Sequence, residues 1–338
     1  MKNRYFILLS LFLFLASVSA FPQTPLFESE EILDLKMKFS VKDIRKDSND
    51  STYVDEVISF KNELGEWEEI EVEMRTRGNF RLTNCYYPPL RLKFKKKRRA
   101  GTVFEQNKSI KLVMPCAKSN QADSYVAKEL MCYKMMEEVT AYTFSTRMVR
   151  IFFENEDDKK GEVELLGFLI EDDDDVADRF EGDIADDRKI ISALLEDSAA
   201  VRHDMFQYMI GNTDYSGLFK HNQKVLQLDE QTVVPLAYDF DMTGMVNPPY
   251  AQVNPKLGIE NVKQRLYRGY CRPEPLMQHV RQEFLDKESR FYEIATEYGT
   301  WLSSGELKEI ERFLKEFFAL IGNDKAFEKG VLADCRSF

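Results

Sequence analysis

The sequence has no C-x-x-C pair, no G-x-S-x-G turn and only three histidines, His203, His221 and His279. Zinc sites built from closely spaced cysteines are therefore disfavoured. Serine and thiol hydrolase chemistry is disfavoured too, because no nucleophile–base pair stands out. Cysteine is scarce: Cys85, Cys116, Cys132, Cys271 and Cys335. An odd count leaves at least one thiol unpaired within a monomer, and the spacings do not choose the pairs. Cys132 falls in a helix-like run and reads as core packing. Positive charge is in deficit, with 47 Lys and Arg against 58 Asp and Glu. An acidic chain of this kind is not expected to bind nucleic acid broadly. The acidic run from Glu171 to Asp187 lacks the regular D-x-D-x-D-G spacing of a calcium loop. It reads as a solvated linker and helix face.

Long apolar runs are missing except at the start of the chain. Lys2 and Arg4 precede an apolar run from Phe6 to Ala16, and Val18-Ser19-Ala20 offers small residues for cleavage. That is the pattern of an export signal over residues 1–20. The apolar run is too short to cross a bilayer, which takes about 20 residues. The mature chain is expected to be soluble, with no stable membrane span, and to reside in the periplasm or outside the cell.

The first half reads as strands. Leu33, Leu35, Met37 and Phe39 alternate with polar residues, a period of two. Tyr53 to Phe60, Glu69 to Met74, Leu90 to Phe94, Ser109 to Met114, Arg147 to Phe153 and Val163 to Ile170 read as further strands. Ser124 to Val139 reads as a helix, with Val126, Leu130 and Tyr133 on its apolar stripe. Between the strands lies Arg75-Thr76-Arg77-Gly78-Asn79-Phe80-Arg81, a weak phosphate-loop signal when taken alone. Lys93 and Lys111 sit within strands, and Glu129 falls beside the helix stripe, where it could pair with either lysine.

The second half opens on the stretch that organises the chain, Met205 to Asp241. An apolar helical run ends at Gly211, and a polar loop carries Asn212, Asp214, His221 and Asn222. Two short strands, Lys224 to Leu228 and Val233 to Ala237, then lead to Tyr238-Asp239-Phe240-Asp241. Acid and amide groups thus sit where regular elements stop. A loop Asp can orient a hydroxyl and take its proton, and an Asn and a strand-end Asp offer hard oxygens to Mg²⁺. Asn222 follows Asp214 by eight positions, against about five in ordinary kinase loops. His221 is an alternative ligand to Asn222. Thr243 to Leu257 is a long loop, and helices follow over Glu274–Leu285, Lys287–Tyr298 and Gly305–Ile321, the last started by Ser303-Ser304. Strands, one helix, a hinge strand and then helices argue for a two-lobe α+β chain, with a β-rich part over 26–170 and a helical part over 171–338.

Ile210-Gly211-Asn212-Thr213-Asp214, then Asn222, then Leu236-Ala237-Tyr238-Asp239 resembles the centre of the CotH-type atypical kinases and, more distantly, the HipA-type kinases. Arg77-Gly78-Asn79 followed by Pro89-Leu90-Arg91-Leu92-Lys93-Phe94 is similar to the CotH R-G-N turn and basic strand, and Gly167 to Glu171 to its hinge. The resemblance covers about half the chain, Arg75 to Asp241. It implies a two-lobed protein-kinase-like fold and ATP- and Mg²⁺-dependent transfer of phosphate to a Ser or Thr hydroxyl of a protein substrate. In that reading Asp214 orients the acceptor, Asn222 and Asp239 bind the metal, and Arg77 and Lys93 lie near the phosphates with Lys111 as the alternative lysine. Glu129 supports the lysine, and Asp241 is either a second ligand or a capping residue. Two other readings stand beside it: a catalytically inactive scaffold of the same shape, and transfer of AMP.

Overall fold

The computed structural model describes residues 23–119, 121–185, 190–216, 219 and 221–337. The expected export signal at 1–20 lies outside them. Alternating apolar residues produce seven strands in the first half. They are β1 Leu33–Phe39, β2 Val54–Lys61, β3 Trp67–Thr76, β4 Leu90–Phe94, β5 Ser109–Val113, β6 Thr146–Asn155 and β7 Glu162–Ile170. On β4, Leu90, Leu92 and Phe94 are buried while Arg91 and Lys93 face outward, as a two-residue period requires. Lys96–Arg99, just past β4, is a single helical turn.

These strands form a closed barrel in the order β1-β2-β3-β4-β5-β7-β6. β6 lies parallel to β1, from Leu33 opposite Val149 to Phe39 opposite Asn155. The other neighbours are antiparallel. Asp34, on β1, fastens the parallel seam: Arg150 donates Nε to its Oδ1 at 2.8 Å and Nη2 to its Oδ2 at 2.9 Å. Such bidentate pairs fix geometry as well as adding energy. Closure leaves no sheet edge to solvent.

This architecture corrects the expected two-lobed protein-kinase-like fold. The chain is a closed seven-stranded mixed barrel joined to a helical region. Alternation reports which residues point inward, but it is silent on which strands pair. The pairing that closes the ring joins residues 116 positions apart.

The helix Gln121–Val139 is buried on nearly every side, the mark of an element enclosed by others. Tyr133 shows why: its ring lies 5.7 Å from Phe168 of β7 and 4.6 Å from Phe240 of the second half. Helices Asp197–Ile210, Glu274–Asp286, Glu288–Glu297 and Ser304–Ile321 complete the helical region. Ser303 accepts from the Glu306 amide while the Glu306 side chain accepts from the Ser303 backbone, a reciprocal cap that starts the last of these. Gly211 ends Asp197–Ile210 with a φ of 67°, and a Cβ there would come within 2.9 Å of Phe313.

A small sheet of β8 Asp183–Ile184, β9 Gln223–Gln227 and β10 Val233–Ala237 accompanies the helices. In the β9–β10 hairpin Gln223 lies opposite Ala237. Asn222 and Tyr238-Asp239 therefore leave the hairpin at the same end. Two disulfides form, Cys85–Cys116 and Cys271–Cys335, and Cys132 is free and buried. Among the described residues no helix is long and apolar enough to cross a membrane.

Candidate functional site

Where the barrel meets the hairpin, a cleft of about 540 Å³ opens. Its barrel wall is built by register. Arg75 on β3 lies opposite Arg91 on β4, and Arg91 lies opposite Lys111 on β5. Three cations thus form a row across three strands, and all three line the cleft. Neighbouring like charges repel across strands. Each is offset by a carboxylate: Asp50 at 3.0 Å from Arg75, Asp172 at 3.1 Å from Arg91, and Asp173 against Lys111.

Asp173 is worth a stability prediction. Burial opposes its ionisation, but Lys111, Lys224 and Arg91 outweigh burial and hold its pKa to about 2. A depressed carboxyl contributes stability above its unfolded pKa near 3.8, and that stability is lost as pH falls through the folded value. Asp173→Asn is expected to cost about 2 kcal/mol at pH 7. Chemical denaturation across pH should show the difference from wild type narrowing between about pH 4 and pH 2. A pH-independent difference would refute the assignment.

Lys93 is not in this cleft. It lies one alternation further along β4, about 6.7 Å beyond Arg91, and pairs with Glu73 at 3.2 Å. It borders a separate depression beside Tyr53, whose ring is 5.2 Å away. Lys111, not Lys93, lines the cleft; it is buried, and its Nζ also reaches the Glu171 carbonyl at 3.4 Å. Burial lowers the Lys111 pKa, with Asp173 opposing.

Glu129 pairs with neither lysine. Its Oε2 lies 3.3 Å from Nη1 of Arg81. Arg81 enters from the short helix Phe80–Asn84 and also donates to the Met114 carbonyl. Burial lifts the Glu129 pKa to about 7, with Arg81 opposing. Nε of Arg81 stands 4.0 Å from Asp241. Asp241 is buried, and its Oδ2 has no hydrogen-bond partner among the described residues. Burial first, then the Asp239 charge, raises its pKa well above the usual carboxylate range.

Arg77 differs from these cations. It lines the cleft past the end of β3, its amide donating to the Pro89 carbonyl at 3.0 Å. Among the described residues its guanidinium makes no ion pair or side-chain hydrogen bond, and its Nε is buried without a partner. Burial lowers its pKa, while the Asp239 charge opposes this.

The opposite wall carries Asp214, Asn222 and Asp239, and all three line the cleft. Asp214 Oδ2 meets His221 Nε2 at 3.0 Å and accepts from Asn222 Nδ2 at 3.3 Å. Neither contact uses Oδ1. His221 is thus bonded to Asp214. Asn222 and Asp239 have φ of 50° and 63°, a left-handed backbone that Asn and Asp tolerate better than most residues. The Tyr238 amide donates to the Asn222 carbonyl at 3.3 Å, and the Asp239 amide donates to the Tyr133 hydroxyl at 2.9 Å. The two turns are therefore tied to each other and to the central helix.

No protein-family model matches the chain, and no curated protein matches it. The reading of the cleft accordingly rests on its own chemistry. Among the described residues no group of three or more His, Cys, Asp and Glu side chains is arranged to hold a metal ion by itself. Asp239 and Asn222, whose NH₂ is turned to Asp214 so that its amide oxygen is left for another partner, line the same cleft as the buried Asp241 and offer an incomplete set of oxygens. Mg²⁺ suits such a set, because it keeps waters and takes the rest of its ligands from substrate phosphates. Sequence reasoning missed Asp173 and the partners of Arg81 and Arg91. The alternation of Leu90, Leu92 and Phe94 placed Arg91 on the outer face, but only the register set it beside Lys111.

Proposed function

We propose that the cleft binds ATP with Mg²⁺ and transfers the γ-phosphate to a hydroxyl of a protein substrate, Ser or Thr, outside the cytoplasm. The observation that carries the reading is Arg77: a guanidinium that, unlike Arg75 and Arg81, has no ion pair or side-chain hydrogen bond among the described residues, with its Nε buried, lining a cleft whose far wall bears Asp214, Asn222 and Asp239. A buried donor left without an acceptor is costly unless a ligand satisfies it, and a phosphate does so well. Arg77 and Lys111 would face the phosphate oxygens. Asn222 and Asp239, with Asp241 behind them, would hold the cation, which supplies charge neutralisation on the phosphates when bound. The free Oδ1 of Asp214 would orient the acceptor hydroxyl. As its oxygen bonds to the γ-phosphorus, the bond from that phosphorus to the bridging oxygen breaks, ADP departs, and the hydroxyl proton passes to Asp214. The CotH-like order of motifs supports the same chemistry, and the two disulfides support an oxidising destination.

The test uses purified protein with Mg²⁺ and ATP labelled on either the γ or the α phosphate. Label from γ appearing on protein supports the proposal. Label from α redirects it to AMP transfer. Binding without transfer of either label leaves an inactive scaffold and overturns catalysis. If millimolar Mg-ATP leaves the melting temperature unchanged, the proposal fails altogether. Arg77→Ala is expected to weaken nucleotide binding by at least about tenfold, read as loss of the ATP-induced melting shift, since a charge-assisted hydrogen bond contributes about 1.5–3 kcal/mol.

A further inference from the structure

We infer that Arg268, which lies outside the cleft, is a positioning residue that sets the direction of the Asp214 carboxylate, and that the Cys271–Cys335 disulfide braces the strap that carries it. Only the kinetic part of the test rests on the phosphoryl-transfer reading.

Asp214 sits in irregular chain, so no helix or strand fixes its backbone. Its own amide donates to the Asn212 side chain at 2.9 Å, and the Ser216 amide donates to the His221 carbonyl at 2.8 Å. Those bonds shape the loop from within. The external hold comes from Arg268. Its Nη1 donates to the Thr213 carbonyl and lies 3.4 Å from the Tyr215 carbonyl. These two carbonyls flank Asp214 on either side. Gripping both from one nitrogen fixes the peptide plane that precedes Asp214 and the one that follows Tyr215, and so limits where the Asp214 side chain points. The guanidinium also lies 5.4 Å from the Tyr215 ring centre, within cation–π reach.

A second hold runs through Tyr215 itself. Its hydroxyl donates to Asp204 Oδ1 at 3.2 Å, and the same oxygen meets His203 Nδ1 at 3.1 Å. Both partners belong to the rigid helix Asp197–Ile210. The strap bearing Arg268 presses on that helix with no room to spare. A Cβ at Gly269 would come 2.8 Å from Asp204 Oδ2 and 2.4 Å from the Tyr267 hydroxyl.

The strap is then closed covalently. Arg336 donates its amide to the Gly269 carbonyl at 2.9 Å, and Cys271 donates its amide to the Arg336 carbonyl at 3.0 Å. The Cys271–Cys335 bond locks the two segments together three residues from Arg268. The far C-terminus, which contributes no residue to the cleft lining, thereby reaches the acceptor-orienting loop.

The experiment compares wild type, Arg268→Gln, Arg268→Lys and the double variant C271S/C335S as full chains. Amide hydrogen exchange is the arm that needs no activity. In Arg268→Gln, the amides of Asp214 and Ser216 should exchange at least about tenfold faster, with barrel amides unchanged. C271S/C335S should move the same amides in the same direction. In the kinetic arm, Arg268→Gln should lower kcat by at least about tenfold, as expected of a misplaced reacting group, with KM for ATP within about twofold. Arg268→Lys should recover part of kcat, because it keeps a donor. The magnesium–nucleotide melting shift should persist in all variants. Unchanged exchange at both amides overturns the inference, as does a fall in kcat matched by loss of nucleotide binding. If wild type transfers no phosphate, the phosphoryl-transfer reading fails and the exchange result alone decides this inference. If Arg268→Gln does not fold, Arg268→Lys and C271S/C335S make the same comparison.

Discussion

Asp214→Asn is expected to lower phosphate transfer by at least about 100-fold, the lower end of what a positioned base contributes. Asn keeps the volume of Asp214 and can still accept from Asn222, so the loop should keep its shape. What it loses is the ability to take a proton through the oxygen that His221 and Asn222 leave unused. Nucleotide binding should survive, because Asp214 is separate from the cations of the barrel wall. Asp239→Asn makes the contrasting prediction. It removes a charge from the oxygen set, so both transfer and the magnesium-dependent part of the ATP melting shift should fall. The pair of variants separates orientation of the acceptor from capture of the nucleotide. If Asp214→Asn retains wild-type transfer, Asp214 has no such role. If Asp239→Asn binds Mg-ATP as wild type does, the cation is held elsewhere.

Loss of the Cys85–Cys116 bond is expected to lower stability strongly. The bond joins positions 31 residues apart, and closing a loop of that length lowers unfolded-chain entropy by about 4 kcal/mol on the chain-entropy account. Its place in the fold gives the loss a functional side. Cys85 follows the short helix that carries Arg81, and the Tyr86 amide next to it donates to the Cys116 carbonyl at 2.7 Å. Arg45 grips the same segment, donating to the Leu82, Cys85 and Tyr86 carbonyls. The double variant C85S/C116S should therefore lose about 4 kcal/mol by urea denaturation in non-reducing buffer. At a temperature where it remains folded, nucleotide should bind more weakly, because Arg77 and Arg81 both stand on the tethered turn. A loss below about 1 kcal/mol would show that the turn holds its shape without the bond.

The site residues were legible to unequal degrees. Asp214, Asn222 and Asp239 stand out because each ends a regular element, and the short β9–β10 hairpin returns Asp239 to Asn222 by local geometry alone. Glu129 was legible as a helix residue of interest, but its partner was not. Arg81 reaches it from 48 positions away, out of a turn that has no periodicity to read. Lys93 and Lys111 look alike as strand lysines. Only the alignment of β3, β4 and β5 separates the one in the cleft from the one beside it. Asp173 was hidden in an acidic run that reads as solvated, although three cations surround it.

By itself, the sequence determined the seven barrel strands and the longer helices, which residues of β1 and β4 face inward, and that acid and amide groups gather on the loops after Ile210 and Ala237. Those properties depend on neighbours a few positions apart, through the periods of two and 3.6 and through caps such as Ser303. Tertiary structure alone decided that β6 returns beside β1 to close a barrel, and which cations face the cleft with and without counter-ions. Those outcomes depend on pairings between residues far apart in the chain, whose free energy comes from contacts that no local window contains.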